Sequence, residues 1–274
     1  MVDSASPEVG TGGRSERPAS ADSFDAVAFW RKRMGASPSL VGTGTNGAPL
    51  AWQRWLYRSK VRAYRSLMRR AGVALEGRQV LDLGCGTGFF ESVWESMGAA
   101  RADGIDVVPE LIATLQATSP HRRYACIDLA CEPAPDLSTF GAPSVVTAID
   151  VLYHVVDDSR LELLLSRLLA VVPPGGHFLF SDALRDHRPA IHVKFRSLDR
   201  WRALLRDRGL EIVDREPVYV LNNRMVPGVR AAPWTIGLVQ HCVDGVARLA
   251  LRPFANNWAV VATRTRSPGR EAPP

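Results

Sequence analysis

The stretch most able to do chemistry is Val80-Leu81-Asp82-Leu83-Gly84-Cys85-Gly86-Thr87-Gly88-Phe89-Phe90. A short apolar run leads into a glycine-rich turn that opens a helix. Such a turn lets backbone approach a ligand closely and aims N–H donors at it. The spacing is G-x-G-x-G, with Phe89 where the dinucleotide fingerprint needs its third glycine, which argues against a nicotinamide dehydrogenase. Asp82 stands two places before the first glycine and suits a ligand with a cationic or zwitterionic end. Asp106, in Gly104-Ile105-Asp106, ends a second strand, where a carboxylate can accept both hydroxyls of a ribose. Asp128 ends a third strand and can accept from the exocyclic amine of adenine. Asp150 ends a fourth, in Asp150-Val151-Leu152-Tyr153-His154. Plainer readings stand beside these: Asp106 capping a helix, Asp128 serving a turn, His154 packing at a helix start.

These residues need strands that end together. QVLDL, ADGID, YACID, SVVTAID and HFLFSD read as strands separated by helical segments, and LEIVDREPVYVL and NNWAVVATR as two more. Pro109 sits where a helix begins, and Ser197 can cap another whose Leu198, Trp201, Leu204 and Leu205 face inward. Leu161, Leu164, Leu165, Leu168 and Leu169 share one helical face. The alternation implies a mostly parallel sheet with helices on both faces and ligands at the carboxyl ends of its strands. Between the last two strands, residues 222–255 are too many for a hairpin, and the apolar run 236–250 keeps helical spacing.

Taken in order, VLDLGCGTG, GID, an Asp after the third strand, AIDVLYHV and VVPPGG resemble a class I S-adenosylmethionine-dependent methyltransferase over about residues 75–264. The resemblance implies an α/β fold: a Rossmann-like three-layer sandwich whose seven-stranded, mostly parallel sheet has its last strand antiparallel, here with an N-terminal helical cap. It implies S-adenosyl-L-methionine as cofactor. Gly84, Cys85, Gly86 and Gly88 would form the loop under its methionine part, with Asp82 near the ammonium. Asp106 would hold the ribose hydroxyls, Val107, Asp128 and Leu129 would border adenine, and Asp150 would line the sulfonium side. The 222–255 insertion departs from the tight hairpin of many members. A sulfonium methyl transfers by in-line displacement, and a hydroxyl or ammonium acceptor must also lose a proton. His154 is the candidate base; Asp182, His187 and His192 follow the fifth strand as alternatives.

Composition sets the remaining bounds. The chain has 274 residues, 46% apolar and 23% charged, enough to bury a large core, and carries no apolar run of membrane-spanning length. Its start is polar, with no leader-like apolar segment, and its four cysteines match no zinc spacing, so a cytoplasmic protein with reduced thiols and no metal is expected. Residues 1–23 and 265–274 have the composition of disordered tails. Residues 24–72 form the cap and 73–264 the cofactor-binding domain. The net charge is +6, yet Arg31 to Arg70 holds ten basic residues and no acidic one, leaving −4 on the rest. Within it Trp52–Arg70 reads as a helix with an arginine ridge at 54, 58, 62, 65 and 69. Like charges at this spacing cost about 0.2–0.5 kcal/mol per pair unless answered. Three readings stay open for the ridge: it faces acids of the core, it holds the cofactor carboxylate or an anionic substrate through Arg58, or it tracks nucleic-acid phosphates. Trp55 and Tyr57 from this helix, with Tyr153 and His192, are placed at the substrate pocket.

The expected function is methyl transfer to an O or N of a small-molecule metabolite, anionic or aromatic. No Asn-Pro-Pro-Tyr-like run follows the fourth strand, which argues against nucleic acid as the substrate. An RNA or protein methyltransferase using the basic helix, and a non-catalytic cofactor-binding partner of another enzyme, are the alternatives.

Overall fold

In strand β1 (Gln79–Leu83) side chains alternate: Leu81 and Leu83 enter one apolar cluster and Val80 the opposite one. The same period of two divides β4 (Val145–Ala148), β5 (His177–Asp182) and β9 (Asn257–Arg264). These strands are therefore buried on both faces and need helices on each side. The computed structural model describes residues 25–34, 39–45, 47–131, 133, 136–220 and 225–265. The tails expected at 1–23 and over 266–274 lie outside them.

One sheet runs β3-β2-β1-β4-β5-β9-β8, with β2 at Arg101–Asp106, β3 at Tyr124–Cys126 and β8 at Leu210–Tyr219. β1 to β5 pair in parallel, and β9 pairs antiparallel with both β5 and β8. This is the seven-stranded Rossmann-like sheet expected. Its order reverses at β1, which opens a crevice between the carboxyl ends of β1 and β4. Helix α6 (Asp158–Val171) is capped by Asp157, and α7 (Leu198–Arg206) by Ser197; both cover one face. Helix α3 (Leu50–Ala71) and α4 (Phe89–Ser96) cover the other, while α5 (Pro109–Thr118) packs against β2 and β3.

Several local features differ from expectation. β3 stops at Cys126, so Asp128 lies on a turn beyond the strand, its Oδ1 accepting from the Ala130 N–H at 2.8 Å. A hairpin of β6 (His187–Ala190) and β7 (Val193–Phe195) follows β5. Ahead of α3, in the region expected as a helical cap, stand α1 (Ala26–Met34) and the single turn α2 (Leu40–Thr43), the latter in a Gly- and Thr-rich stretch, residues 40–50, whose composition reads as loop. The insertion contains α8 (Pro233–Ala250), which packs on the outer side of α3 as an extra layer. Gly237 makes that contact close: a Cβ there would lie 2.5 Å from Trp55 Cδ1.

Candidate active site

The crevice predicted by the strand order is a real cleft. Its walls bring together Asp82, Gly84, Cys85, Gly86, Asp106, Val107, Asp128, Leu129, Asp150 and His154, with Tyr57 from α3. Among the residues expected, Gly88, Arg58, Trp55, Tyr153 and His192 do not line it.

The glycine loop is shaped by φ values that other residues resist. Gly84 has φ +70°, and a Cβ on it would stand 2.4 Å from Val151 Cγ2. Gly86 N–H donates to Asp106 Oδ2 at 2.9 Å, and Val108 N–H donates to Oδ1 at 3.0 Å. The loop and the second strand are thereby tied through one carboxylate. Burial raises the Asp106 pKa, and the hydrogen bonds from Val108 and Gly86 oppose that rise. Gly88 belongs behind the loop: it starts α4 at φ +75°, against Leu115 and not the cleft.

Asp82 is buried and accepts from Thr147 Oγ1–H. Burial, with Asp106 nearby, pushes its carboxyl up to about 7. Behind the loop Glu91 is also buried, and burial with the neighbouring Asp82 raises it well above the usual carboxylate range. Burial and Glu91 raise the Cys85 thiol in turn, which leaves it an inert small side chain at neutral pH.

Asp150 occupies the left-handed region, φ +59°, a conformation that Asp tolerates better than most residues. Its N–H donates to Ser181 Oγ at 2.7 Å, and that hydroxyl donates back to Oδ1 at 2.7 Å. Asn257 Nδ2 donates to Oδ1 at 3.2 Å. The Lys60 ammonium lies 2.6 Å from Oδ2, with both side chains largely buried. Burial alone would raise the Asp150 pKa; the Lys60 charge and these hydrogen bonds hold it below the usual carboxylate value. Lys60 Nζ also sits 4.1 Å from the Tyr57 ring centroid. Sequence reasoning missed Lys60. The signal was present: Lys60 stands three residues after Tyr57, on the inward face of α3, and is the one lysine among that helix's arginines.

Arg58 is the correction on that helix. It lies about 100° round from Tyr57. It is exposed, stacks on Trp55 at 4.4 Å, and lines a separate hollow with Arg62, Arg65, Arg69 and Arg248. Trp55 faces α8, against Trp234 and His241, and not the cleft. Of the ridge readings, the first holds for neighbours only: Arg70 pairs with Asp214 and Glu216. Arg54, Arg58, Arg65 and Arg69 are exposed and form no ion pair among the described residues.

His154 borders the cleft with its Nδ1–H donated to the His192 carbonyl at 2.7 Å, so Nε2 is the accepting nitrogen. Burial lowers its pKa to about 4. His192 stacks behind it at 5.6 Å, and Tyr153 packs on Phe195. Asp182 turns into the core, where Trp201 Nε1–H donates to it at 2.9 Å, and His187 is on the exposed hairpin. Neither reaches the cleft.

Helix α1 crosses the mouth. Ala26, Trp30 and Met34 line the cleft, and Met34 packs on Val108 and Leu111. Arg31 pairs with Glu110, and Arg33 Nε donates to the Gly42 carbonyl at 2.9 Å. Thr43 and Phe89 close the remaining wall; Thr43 Oγ1 and the Tyr57 hydroxyl are 2.7 Å apart.

The residues fit an adenosyl sulfonium on their own chemistry. Four acidic side chains (Asp82, Asp106, Asp128, Asp150) line the cleft with one ammonium, Lys60, which pairs with Asp150; the balance suits a cationic ligand rich in hydroxyls, and the glycine loop lines the same cleft. Comparisons with known proteins point the same way. The family model described as "Methyltransferase domain" matches residues 53–215. The chain is 29% identical over 121 residues to the ubiquinone biosynthesis O-methyltransferase of Neisseria meningitidis serogroup C, covering 43% of this chain and 50% of that one. It is 25% identical over 171 residues to the ribosomal protein L11 methyltransferase of Burkholderia multivorans, covering 60% and 48%. The chain thus spans about half the length of the curated relatives it matches. Its fold is similar to the N-methyltransferase NodS of Bradyrhizobium japonicum in complex with S-adenosyl-L-homocysteine: TM-score 0.54, 17% identity, 89% of this chain and 100% of that one.

Proposed function

We propose, from the premise that this chain belongs to the methyltransferase-domain family, that it transfers the methyl group of S-adenosylmethionine to an oxygen or nitrogen of a small-molecule metabolite, anionic or aromatic. One observation carries the small-molecule part: α1 lies across the cleft mouth, so Trp30 and Met34 face the same space as Gly84, Asp106 and Asp150. A helix-roofed cleft suits a small acceptor better than a duplex or a folded protein.

When bound, S-adenosylmethionine supplies an electrophilic sulfonium methyl. The chain's task is then alignment and exclusion of water. In this reading Asp106 accepts from the ribose hydroxyls, and Asp82, once ionised, faces the ammonium. Val107, Asp128 and Leu129 border adenine. Lys60 fixes the Asp150 carboxylate beside the sulfonium region, so a charge persists there at neutral pH. Trp30, Tyr57 and Phe89 offer apolar walls to the acceptor. His154 is neutral above about pH 5 and accepts a hydrogen bond at Nε2 from the acceptor's O–H or N–H. Its low pKa makes it a transient base: it takes the acceptor's proton as the methyl is transferred and passes it on to water. Residues 24–72 act as the cap and 73–264 as the methyltransferase domain, with 222–255 inserted.

The test offers methyl-labelled cofactor with a metabolite extract, total RNA and a protein extract in parallel. Label entering a small molecule that chromatography resolves from the cofactor supports the proposal. Label entering only RNA or protein overturns the acceptor class. Cofactor binding by calorimetry without transfer to any fraction overturns catalysis in favour of a binding partner.

A further inference from the structure

Helix α8 is inverted relative to an ordinary surface helix. Gln240, His241, Asp244 and Arg248 face the protein, where Trp52 Nε1–H donates to Gln240 at 2.6 Å and Val220 N–H donates to Asp244 at 2.8 Å. Its outward side carries Val239, Val243, Val246 and Leu249, the last two 70% and 79% exposed. No charged residue interrupts that stripe. Trp234 at its start and Phe254 just past its end are 57% and 73% exposed. Soluble helices place apolar side chains inward. A contiguous apolar face of this kind marks a surface that something covers.

The charge beside it narrows the occupant. Arg54, Arg58, Arg65 and Arg69 stand on α3, the helix against which α8 packs, and Arg58, Arg65 and Arg69 share a hollow with Arg248 of α8. The acids of this region are already engaged: Glu216 is buried among Arg70, Arg248 and Arg252. The outward stripe is therefore aliphatic with an aromatic residue at each end, and the exposed arginines of the adjoining α3 flank it. A second copy would bring one arginine ridge beside another, and like charges oppose that. A protein partner would want polar partners within the patch, at about one hydrogen bond per 100–200 Å². Among the exposed side chains of that face only Thr235 and Cys242 could offer one. Hydrocarbon asks for none, and terminal aromatics with flanking arginines suit a lipid–water boundary.

We propose that the α8 stripe and the α3 arginine ridge dock the protein peripherally on an anionic phospholipid bilayer. No described helix is long and apolar enough to cross one, so the association lies in the interface plane. This inference does not depend on methyl transfer.

The test is co-sedimentation of the full chain with vesicles of phosphatidylcholine alone or with phosphatidylglycerol, at low and high salt. Binding to the anionic vesicles, weakened by salt, is expected. Arg65→Ala with Arg69→Ala lowers the partition coefficient roughly 5-fold per arginine. Val246→Glu with Leu249→Glu abolishes binding. All four positions are exposed and outside the cleft, so cofactor affinity serves as the folding control and stays unchanged. No binding to anionic vesicles, or binding insensitive to Val246→Glu and Leu249→Glu, overturns the proposal. A dimer that those two substitutions dissociate, with no vesicle binding, assigns the stripe to a second copy and overturns it equally.

Discussion

Replacing Lys60 by Met keeps the aliphatic stem and removes the ammonium that lies 2.6 Å from Asp150 Oδ2. The carboxylate is then left with Ser181 and Asn257 as donors, at 2.7 and 3.2 Å, in a site where its side chain is 19% exposed. Breaking one partner of a buried pair costs about 3–5 kcal/mol. The two remaining donors pull the expectation toward the lower end, and the lost cation–π contact with Tyr57 adds about 0.5–2 kcal/mol. A domain of this size loses about 2–4 °C of Tm per kcal/mol, so the total of about 3.5–6 kcal/mol corresponds to about 7–24 °C by calorimetry at pH 8. The sign with pH is fixed by Asp150. Its folded pKa is lowered, so the pair's contribution is present above the unfolded carboxylate pKa of about 3.9 and lost as pH falls through the folded value. Without Lys60 that carboxyl rises and protonates more easily, so the deficit of the variant shrinks between pH 8 and pH 5. Adding Asp150→Asn restores part of the stability, because no charge is left buried. A loss below about 1 kcal/mol at pH 8, or a deficit that grows as pH falls, refutes the reasoning.

Three further outcomes follow from the cleft. Asp106→Ala weakens S-adenosylmethionine binding by about 1.5–3 kcal/mol, the scale of hydrogen bonds to a charged group, read by calorimetry; it also releases Gly86, so the loop's amide exchange rises. Because Asp82 is pushed up to about 7, its ionised fraction falls about tenfold from pH 8 to pH 6, and cofactor affinity falls with it. Asp82→Asn flattens that profile while lowering affinity at pH 8. His154→Gln lowers kcat by about 10²-fold, the low end for general-base loss, with cofactor Kd unchanged; a loss of only a few-fold assigns His154 to packing against Trp30 and His192.

The parts of the fold legible in the sequence were those with short-range causes. Alternating apolar runs, Ser197 as a cap and the glycine-rich turn each depend on a few neighbouring residues, and the parallel pairing of β1 to β5 followed from strand–helix alternation. The acidic residues at strand ends were legible for the same reason, since topology alone carries Asp82, Asp106 and Asp150 to one crevice. What the sequence did not yield depends on which face of a helix meets the body. Arg58 and Lys60 stand two apart on one basic helix; only the packing of Tyr57 and Tyr64 inward shows that Lys60 enters the cleft and Arg58 leaves it. Likewise the apolar run 236–250 reads as an inserted helix, and which of its faces turns outward shows only once α3 is seen to take its polar side.

Strand β9 is the last strand among the described residues and sits inside the sheet, between β5 and β8. During synthesis β8 therefore has no edge to join until residues 257–264 have left the ribosome. The half from β1 to β5 can form earlier, with β5 as an exposed apolar edge awaiting closure. A nascent chain stalled before Asn257 would present that edge to its neighbours. The completeness of the fold is thus read out at the final strand, so a chain truncated ahead of residue 257 is expected to aggregate rather than to persist as a smaller domain.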